Sequence, residues 1–131
     1  MEFKGKKGFT VIELMVVMTI ILLLASVAVK INKKAIIKAK EAVLKENLFQ
    51  MRQAIEQYYA DKGHYPDSLE TLVDDGYMRE IPKDPFTKSS DTWQVEYENP
   101  EDVGEDYEPG IIDVKSGYSG KALDGTNYDE W

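Results

Sequence analysis

The sequence contains no cysteine and only one histidine in 131 residues. Without thiols, disulfide bonds, thiolate-held zinc or iron–sulfur sites and a cysteine nucleophile are excluded. His64 stands beside Tyr65 and Pro66, and we interpret it as a turn residue rather than a metal ligand or catalytic base. There is also no Gly-rich phosphate loop, Walker pattern or nucleophile elbow.

Paired carboxylates are the remaining signal for catalysis. Asp74 and Asp75 are adjacent, and a second acidic run extends from Glu101 to Glu108. Such pairs can perform acid–base chemistry, but runs of this kind are typical of solvated loops. The sequence therefore predicts a protein that is not an enzyme.

Charge is distributed unevenly along the chain. The formal charge of −8 divides into +2 over residues 1–8, −1 over residues 9–29, +4 over residues 30–62 and −13 over residues 63–131. A basic zone beside an apolar run fits an anionic membrane surface. The one large polar region is acidic, which argues against a nucleic-acid partner.

The longest uncharged run extends from Leu14 to Val29, and with residues 9–12 it approaches the ~20 residues that span a bilayer as a helix. Three interpretations compete: a secretory signal peptide cleaved after the small residues 26–28, a signal anchor, and a prepilin that keeps the apolar segment. Glu13 favours the third. A carboxylate in an apolar membrane segment is costly, so it indicates a function that neither a signal peptide nor an anchor requires.

The residues from Lys7 to Leu14, KGFTVIEL, resemble the prepilin motif of type IV pilin-like proteins. The resemblance implies that a prepilin peptidase cuts between Gly8 and Phe9 and that the new amine of Phe9 is N-methylated. It also implies that Glu13 meets the Phe9 amine of a neighbouring subunit and sets the register of assembly. In an apolar bundle such a carboxylate needs a cation or a proton.

Beyond Val29 the pattern becomes amphipathic without a break. Apolar residues at helical spacing predict one buried face (Ile37, Leu44, Leu48, Met51, Ile55, Tyr58), and Glu41 precedes Lys45 at i, i+4. We predict one helix from about Phe9 to Asp61, with Gly63 as its C-cap. Related pilins usually carry a proline where this chain has Lys30, so the usual loosening of the helix there is in question.

The remainder predicts a small domain. Asp67 or Ser68 can cap a short helix that ends near Asp74, with Glu70 completing a capping box after Asp67. The two-proline segment 81–86 predicts a loop. The alternation at Trp93, Val95 and Tyr97 predicts one strand, and residues 111–114 predict another. The predicted fold class is α+β: a long N-terminal helix packed on a small antiparallel sheet, the pilin fold.

The domain also resembles one branch of the family. Tyr58-Tyr59, the GHYP turn at 63–66, the IPKDP segment at 81–85 and the glycine-rich tail at 116–126 are similar to the G-type major pseudopilin of type II secretion systems. The absence of cysteine points the same way, because type IVa pilins commonly close this region with a disulfide.

That resemblance implies a structural subunit, polymerised with identical copies and minor pseudopilins by an inner-membrane platform and its ATPase, that helps extrude proteins across the outer membrane. The subunit would first span the bacterial inner membrane, surrounded by lipid, with its C-terminal domain in the periplasm, and then enter a periplasmic filament. The expected divisions are a cleaved leader (1–8), a membrane and filament-core helix (9–29), its amphipathic continuation (30–62) and an acidic domain (63–131).

The G-type family also holds its C-terminal loop with a calcium ion. The resemblance therefore implies possible ligands in the Leu123 carbonyl, Asp124 and Asp129, helped by Ser119, Thr126 or Asn127. An ordinary turn at Leu123-Asp124-Gly125 is an equally open interpretation, and no cofactor is expected to be essential. Two other functions also stay open: a surface type IV pilin for adhesion or motility, and a membrane-tethered periplasmic binding module.

Overall fold

A long helix forms the N-terminal part of the chain. In the computed structural model, residue 8 and residues 10–131 are described, apart from the side chains of residues 30 and 31. Helix α1 extends over Val11–Lys62 and ends as predicted. Gly63 has a φ of +80°, a left-handed conformation that glycine adopts without a Cβ penalty. Its N–H donates to the carbonyl of Tyr59 at 2.8 Å.

The described residues divide into two compact units between residues 37 and 38. In the second unit, the predicted apolar face of α1 is buried at Leu44, Leu48, Met51, Ile55 and Tyr58. Ile37, predicted to belong to that face, is 37% exposed. It lies on the other side of the division, before the first buried turn of α1, so this part of the prediction was wrong.

A second, short helix α2 covers Leu69–Asp74. Ser68 is its N-cap, because the Ser68 hydroxyl accepts from the Thr71 N–H at 3.2 Å. The predicted capping box from Asp67 to Glu70 was wrong, since the helix begins one residue later than that box requires. Gly76 follows the helix with a φ of +84°.

The sheet has two antiparallel strands in the described part of the chain, β1 (Gln94–Tyr97) and β2 (Ile111–Lys115). Val95 pairs with Val114, and a bulge follows Glu96. Ile111 and Val114 are buried against α1 and α2 residues of the core. The α+β prediction is confirmed, although Tyr97 is 54% exposed rather than inward-facing.

The loop before β1 is organised by one buried carboxylate. Asp84 is fully buried, and its Oδ1 accepts from the Phe86 N–H at 2.8 Å. Its Oδ2 accepts from the hydroxyl of Ser116, just after β2. The indole of Trp93 donates to the Pro82 carbonyl at 2.7 Å. The predicted two-proline loop is therefore fixed at both ends by side chains from neighbouring segments.

Candidate assembly helix and C-terminal segment

The predicted processing site lies at the edge of the described chain. Gly8 is exposed. Residues 1–7 and Phe9 fall outside the described residues, so cleavage between Gly8 and Phe9, methylation of Phe9 and the leader itself stay predictions.

Helix α1 begins with a capped turn. The Thr10 hydroxyl accepts from the Glu13 N–H at 3.1 Å, and the Thr10 carbonyl accepts from the Leu14 N–H at 3.1 Å. Thr10 is therefore the N-cap, a role that the sequence analysis missed. The signal was present in the spacing of Thr10 and Glu13, which is that of a capping box.

Glu13 lies in the first turn of α1 and is exposed. A carboxylate at this end of a helix is stabilised by the partial positive charge of the free backbone N–H groups. Glu13 is therefore open to contact from outside the subunit at the start of an apolar helix. Its assembly role stays a prediction.

The first half of α1 presents apolar side chains in every direction. From Val11 to Val29 all side chains are exposed, with exposed fractions of 74% for Val11 and 66% for Leu22. The hydroxyl of Thr19 donates to the Met15 carbonyl at 2.8 Å, so this polar group is satisfied within the helix. α1 is long and apolar enough to cross a membrane. A surface of this size needs lipid or other subunits around it.

Residues 120–131, which we call the C-terminal segment, fold back on themselves. The Ala122 N–H donates to the Thr126 carbonyl at 2.7 Å, and Gly125 makes the turn with a φ of +89°. Asp124 Oδ1 accepts from the hydroxyl and the N–H of Thr126, at 2.6 and 3.0 Å. The hydrogen bond from the Thr126 hydroxyl lowers the pKa of Asp124.

Charged side chains of α1 contact this segment at three positions. Glu41 Oε2 accepts from the Leu123 N–H at 2.8 Å and from the Tyr128 hydroxyl at 2.6 Å. The Lys45 ammonium lies 4.8 Å from the Trp131 ring centroid. Glu41 and Lys45, predicted to support each other along the helix, thus contact different parts of the segment.

The third side chain, Arg52, joins the segment to the sheet. Its Nε donates to Asp113 at 2.7 Å, and one terminal nitrogen donates to the main-chain oxygens of Val114 and Trp131 at 3.0 and 2.9 Å. The sequence analysis did not predict these contacts of Arg52 and Glu41, because their partners lie 61 to 87 positions away along the chain.

Some of the groups proposed for calcium, namely Asp124 Oδ1, the Thr126 hydroxyl and the Asn127 amide, are engaged by protein groups. The Thr126 hydroxyl, which bonds Asp124, also accepts from the Trp131 indole at 2.7 Å, and the Asn127 amide donates to Glu130. Asp129 is half-buried in the final turn. Within the described part of the chain, no three His, Cys, Asp or Glu side chains group as a metal site. The proposed side chains include two carboxylates, Asp124 and Asp129, whereas Ca²⁺ takes six to eight oxygens, so calcium stays a prediction of the resemblance alone.

His64 lies in the predicted turn. Its ring is 5.6 Å from the Tyr58 ring and 5.9 Å from the Tyr107 ring. Its Nδ1 lies 3.2 Å from the Tyr65 carbonyl. These are contacts that fix a turn, as the sequence analysis inferred.

Residues 3–29 match the prokaryotic N-terminal methylation motif. The type II secretion system core protein G of Pseudomonas aeruginosa is 31% identical over 102 residues, which cover 66% of this chain and 72% of that protein. The chain belongs to the type II secretion system core protein G family.

Two more members of the core protein G family are similar. The Escherichia coli K12 protein is 32% identical over 100 residues, which cover 62% of this chain and 67% of that protein. The Klebsiella michiganensis protein is 28% identical over 102 residues. No solved structure matched the chain.

Membership of the core protein G family makes the chain a pseudopilin subunit. The long apolar helix followed by a small antiparallel sheet is the α+β arrangement of pilins. The family, the fold and the methylation motif agree with the sequence analysis. They favour the secretion pseudopilin over the surface pilin and the tethered binding module.

Proposed function

We propose that this pseudopilin is cut after Gly8 by a prepilin peptidase and polymerises through the first half of α1 into a periplasmic filament. The observation that carries the proposal is the exposed apolar surface of residues 11–29 with a carboxylate, Glu13, in its first turn. Before assembly, lipid of the inner membrane covers this surface. After assembly, other subunits cover it.

Glu13 sets the register between subunits in this proposal. Cleavage frees the amine of Phe9, and its positive charge pairs with Glu13 of a neighbouring copy. An ion pair in an apolar bundle is favourable only when both charges meet with good geometry, because an unpaired buried charge is strongly destabilising. Subunits displaced along the filament axis would leave both charges unpaired, so the pair selects one axial position.

The remaining parts of the proposal concern boundaries and partners. Residues 1–8 form the leader, residues 9–29 the membrane and filament core, residues 30–62 the continuation of the helix, and residues 63–131 the acidic periplasmic domain. The partners are identical copies, minor pseudopilins and an inner-membrane platform driven by an ATPase. The subunit acts through assembly and performs no catalysis of its own.

The test replaces the carboxylate. Glu13→Val should leave cleavage and membrane insertion intact and abolish filaments, because the register charge is lost while the apolar surface is kept. Electron microscopy of sheared filaments, with N-terminal sequencing of the membrane-bound subunit, measures both results. Thr19→Val is the matched control, since the Thr19 hydroxyl is satisfied inside the helix. A normal filament yield from Glu13→Val would disprove the register proposal.

A second variant separates processing from assembly. Gly8→Val should block cleavage, leave the Phe9 nitrogen in a peptide bond, and stop assembly although Glu13 is present. Precursor that accumulates in the membrane without filaments is the expected result. Filaments built from uncleaved precursor would show that the freed amine is not the partner of Glu13.

A further inference from the structure

The C-terminal segment is connected to α1 by a set of polar contacts that the assembly role does not use. Glu41 accepts two hydrogen bonds from the segment, at Leu123 and Tyr128. Arg52 donates to the Trp131 main-chain oxygen. All of these groups belong to the compact unit of residues 38–131, so the contacts operate inside one subunit.

The direction of these hydrogen bonds determines which oxygen lone pairs are free to bind a cation. A cation site needs oxygen lone pairs that point at the ion. Here N–H and O–H donors occupy oxygens of the segment and of the helix: the indole of Trp131 donates to Thr126, the Thr126 hydroxyl donates to Asp124, and the Tyr128 hydroxyl donates to Glu41. Donor hydrogens thus occupy two of the groups proposed for calcium, Asp124 Oδ1 and the Thr126 hydroxyl, and also Glu41.

The network is also anchored on the apolar side. Tyr128 is 2% exposed, and its ring stacks on Phe86 with centroids 4.2 Å apart. The buried ring fixes the position of the hydroxyl, so Glu41 meets a donor that is already ordered. Burial, followed by the hydrogen bond to Glu41, raises the pKa of Tyr128 and keeps that donor protonated.

We propose that the C-terminal segment is held closed by side chains of α1, with Glu41 as the central acceptor, and that its closure does not depend on a metal ion. Glu41 performs the joining function that the family resemblance assigns to calcium. It does so with a carboxylate that accepts hydrogen bonds instead of one that binds a cation.

The test measures how the thermal unfolding midpoint of the full chain, purified in detergent, depends on calcium and on Glu41. Thermal unfolding is followed by tryptophan fluorescence, which reports on the segment through Trp131 and on the core through Trp93. For the unaltered chain, the midpoint in calcium chloride should lie within about 1 °C of the midpoint in chelator, since nothing binds. Glu41→Gln should lower the midpoint by about 4–8 °C in both conditions, because a hydrogen-bonded charge is lost.

Two further variants sharpen the comparison. Tyr128→Phe removes only one donor hydroxyl, so it should lower the midpoint by less than Glu41→Gln, and it carries the test if Glu41→Gln does not accumulate. Glu56→Gln is the matched control, as Glu56 is an exposed glutamate of the same helix. Limited proteolysis should cut the C-terminal segment faster in Glu41→Gln and not in Glu56→Gln.

Two results would overturn the proposal. One is a calcium-induced rise of more than about 4 °C in the unaltered chain that chelator reverses, the size expected when an ion binds the folded state well above its dissociation constant. The other is a midpoint for Glu41→Gln and Tyr128→Phe equal to that of Glu56→Gln.

Discussion

The hydroxyl of Tyr128 donates a 2.6 Å hydrogen bond to Glu41 across 87 positions of the chain. The phenol is buried and the carboxylate lies beside it on α1. Ionising Tyr128 would put two negative charges within hydrogen-bonding distance of each other. The folded state therefore holds the Tyr128 proton more tightly than the unfolded chain does.

This relationship predicts a loss of stability at alkaline pH. The pKa of Tyr128 is raised from 10.0 by burial first and by Glu41 second. For a raised pKa the stabilising contribution is complete below the unfolded value and falls as pH rises above it. The free energy of unfolding of the full chain, measured in urea from neutral pH to about pH 11, should decrease in the upper part of that range.

A substitution distinguishes the contribution of Tyr128 to this alkaline loss of stability from the contributions of the other tyrosines. Tyr128→Phe should make the alkaline decrease shallower, because the titrating group is gone. Tyr97→Phe is the control, since Tyr97 is 54% exposed on β1. An equally steep alkaline decrease in Tyr128→Phe would contradict the assignment.

The buried carboxylate of Asp84 predicts a second effect. Asp84→Ala would leave the Ser116 hydroxyl and the Phe86 N–H without their acceptor inside the domain. We expect a loss of about 3 kcal/mol in the free energy of unfolding, measured in urea, because unsatisfied buried donors are costly. Asp91→Ala should change stability by less than about 0.5 kcal/mol, as Asp91 is exposed in the same loop.

A double-mutant cycle tests the mechanism of that loss. If the Asp84 carboxylate acts through Ser116, the effects of Asp84→Ala and Ser116→Ala should be coupled by roughly 0.5–3 kcal/mol. Strictly additive effects would show that the two side chains contribute independently.

Adjacent residues of α1 provide a third prediction. Leu48 is 2% exposed, and its neighbour Phe49 is 57% exposed. Leu48→Ala should destabilise the domain by about 2–5 kcal/mol, since it opens a cavity in the core. Phe49→Ala should change the urea unfolding free energy by no more than about 0.5 kcal/mol. Equal losses from the two substitutions would contradict the assigned orientation of the helix face.

The helical core could be predicted from sequence because its signal is periodic and local. The spacing of Leu44, Leu48, Met51, Ile55 and Tyr58 determines which face of α1 is buried wherever a partner is available. Ile37 continues the same spacing, yet it is exposed. Periodicity identifies a face of a helix but not where the packed domain begins.

The polar contacts between α1 and the C-terminal segment could not be predicted from the sequence. Lysines and glutamates on a predicted helix surface resemble one another until the rest of the chain is placed against them. Glu41 and Arg52 are distinguished from other charged residues of α1 only by the return of residues 113–131 to that surface. The Thr10 cap was predictable, because its spacing to Glu13 is itself a sequence signature.

The cap at Thr10 has one further consequence. The described hydrogen bonds at the start of α1 are accepted by Thr10, C-terminal to the bond between Gly8 and Phe9. Removal of residues 1–8 would therefore alter the charge in front of the helix while the folding signal of the helix stays on the mature chain. A new ammonium group would come two positions before the first residue of α1 in the sequence, and a helix N-terminus carries partial positive charge that repels a cation. The mature subunit would thus carry at its tip a cation that gains more from a neighbour's carboxylate than from its own helix.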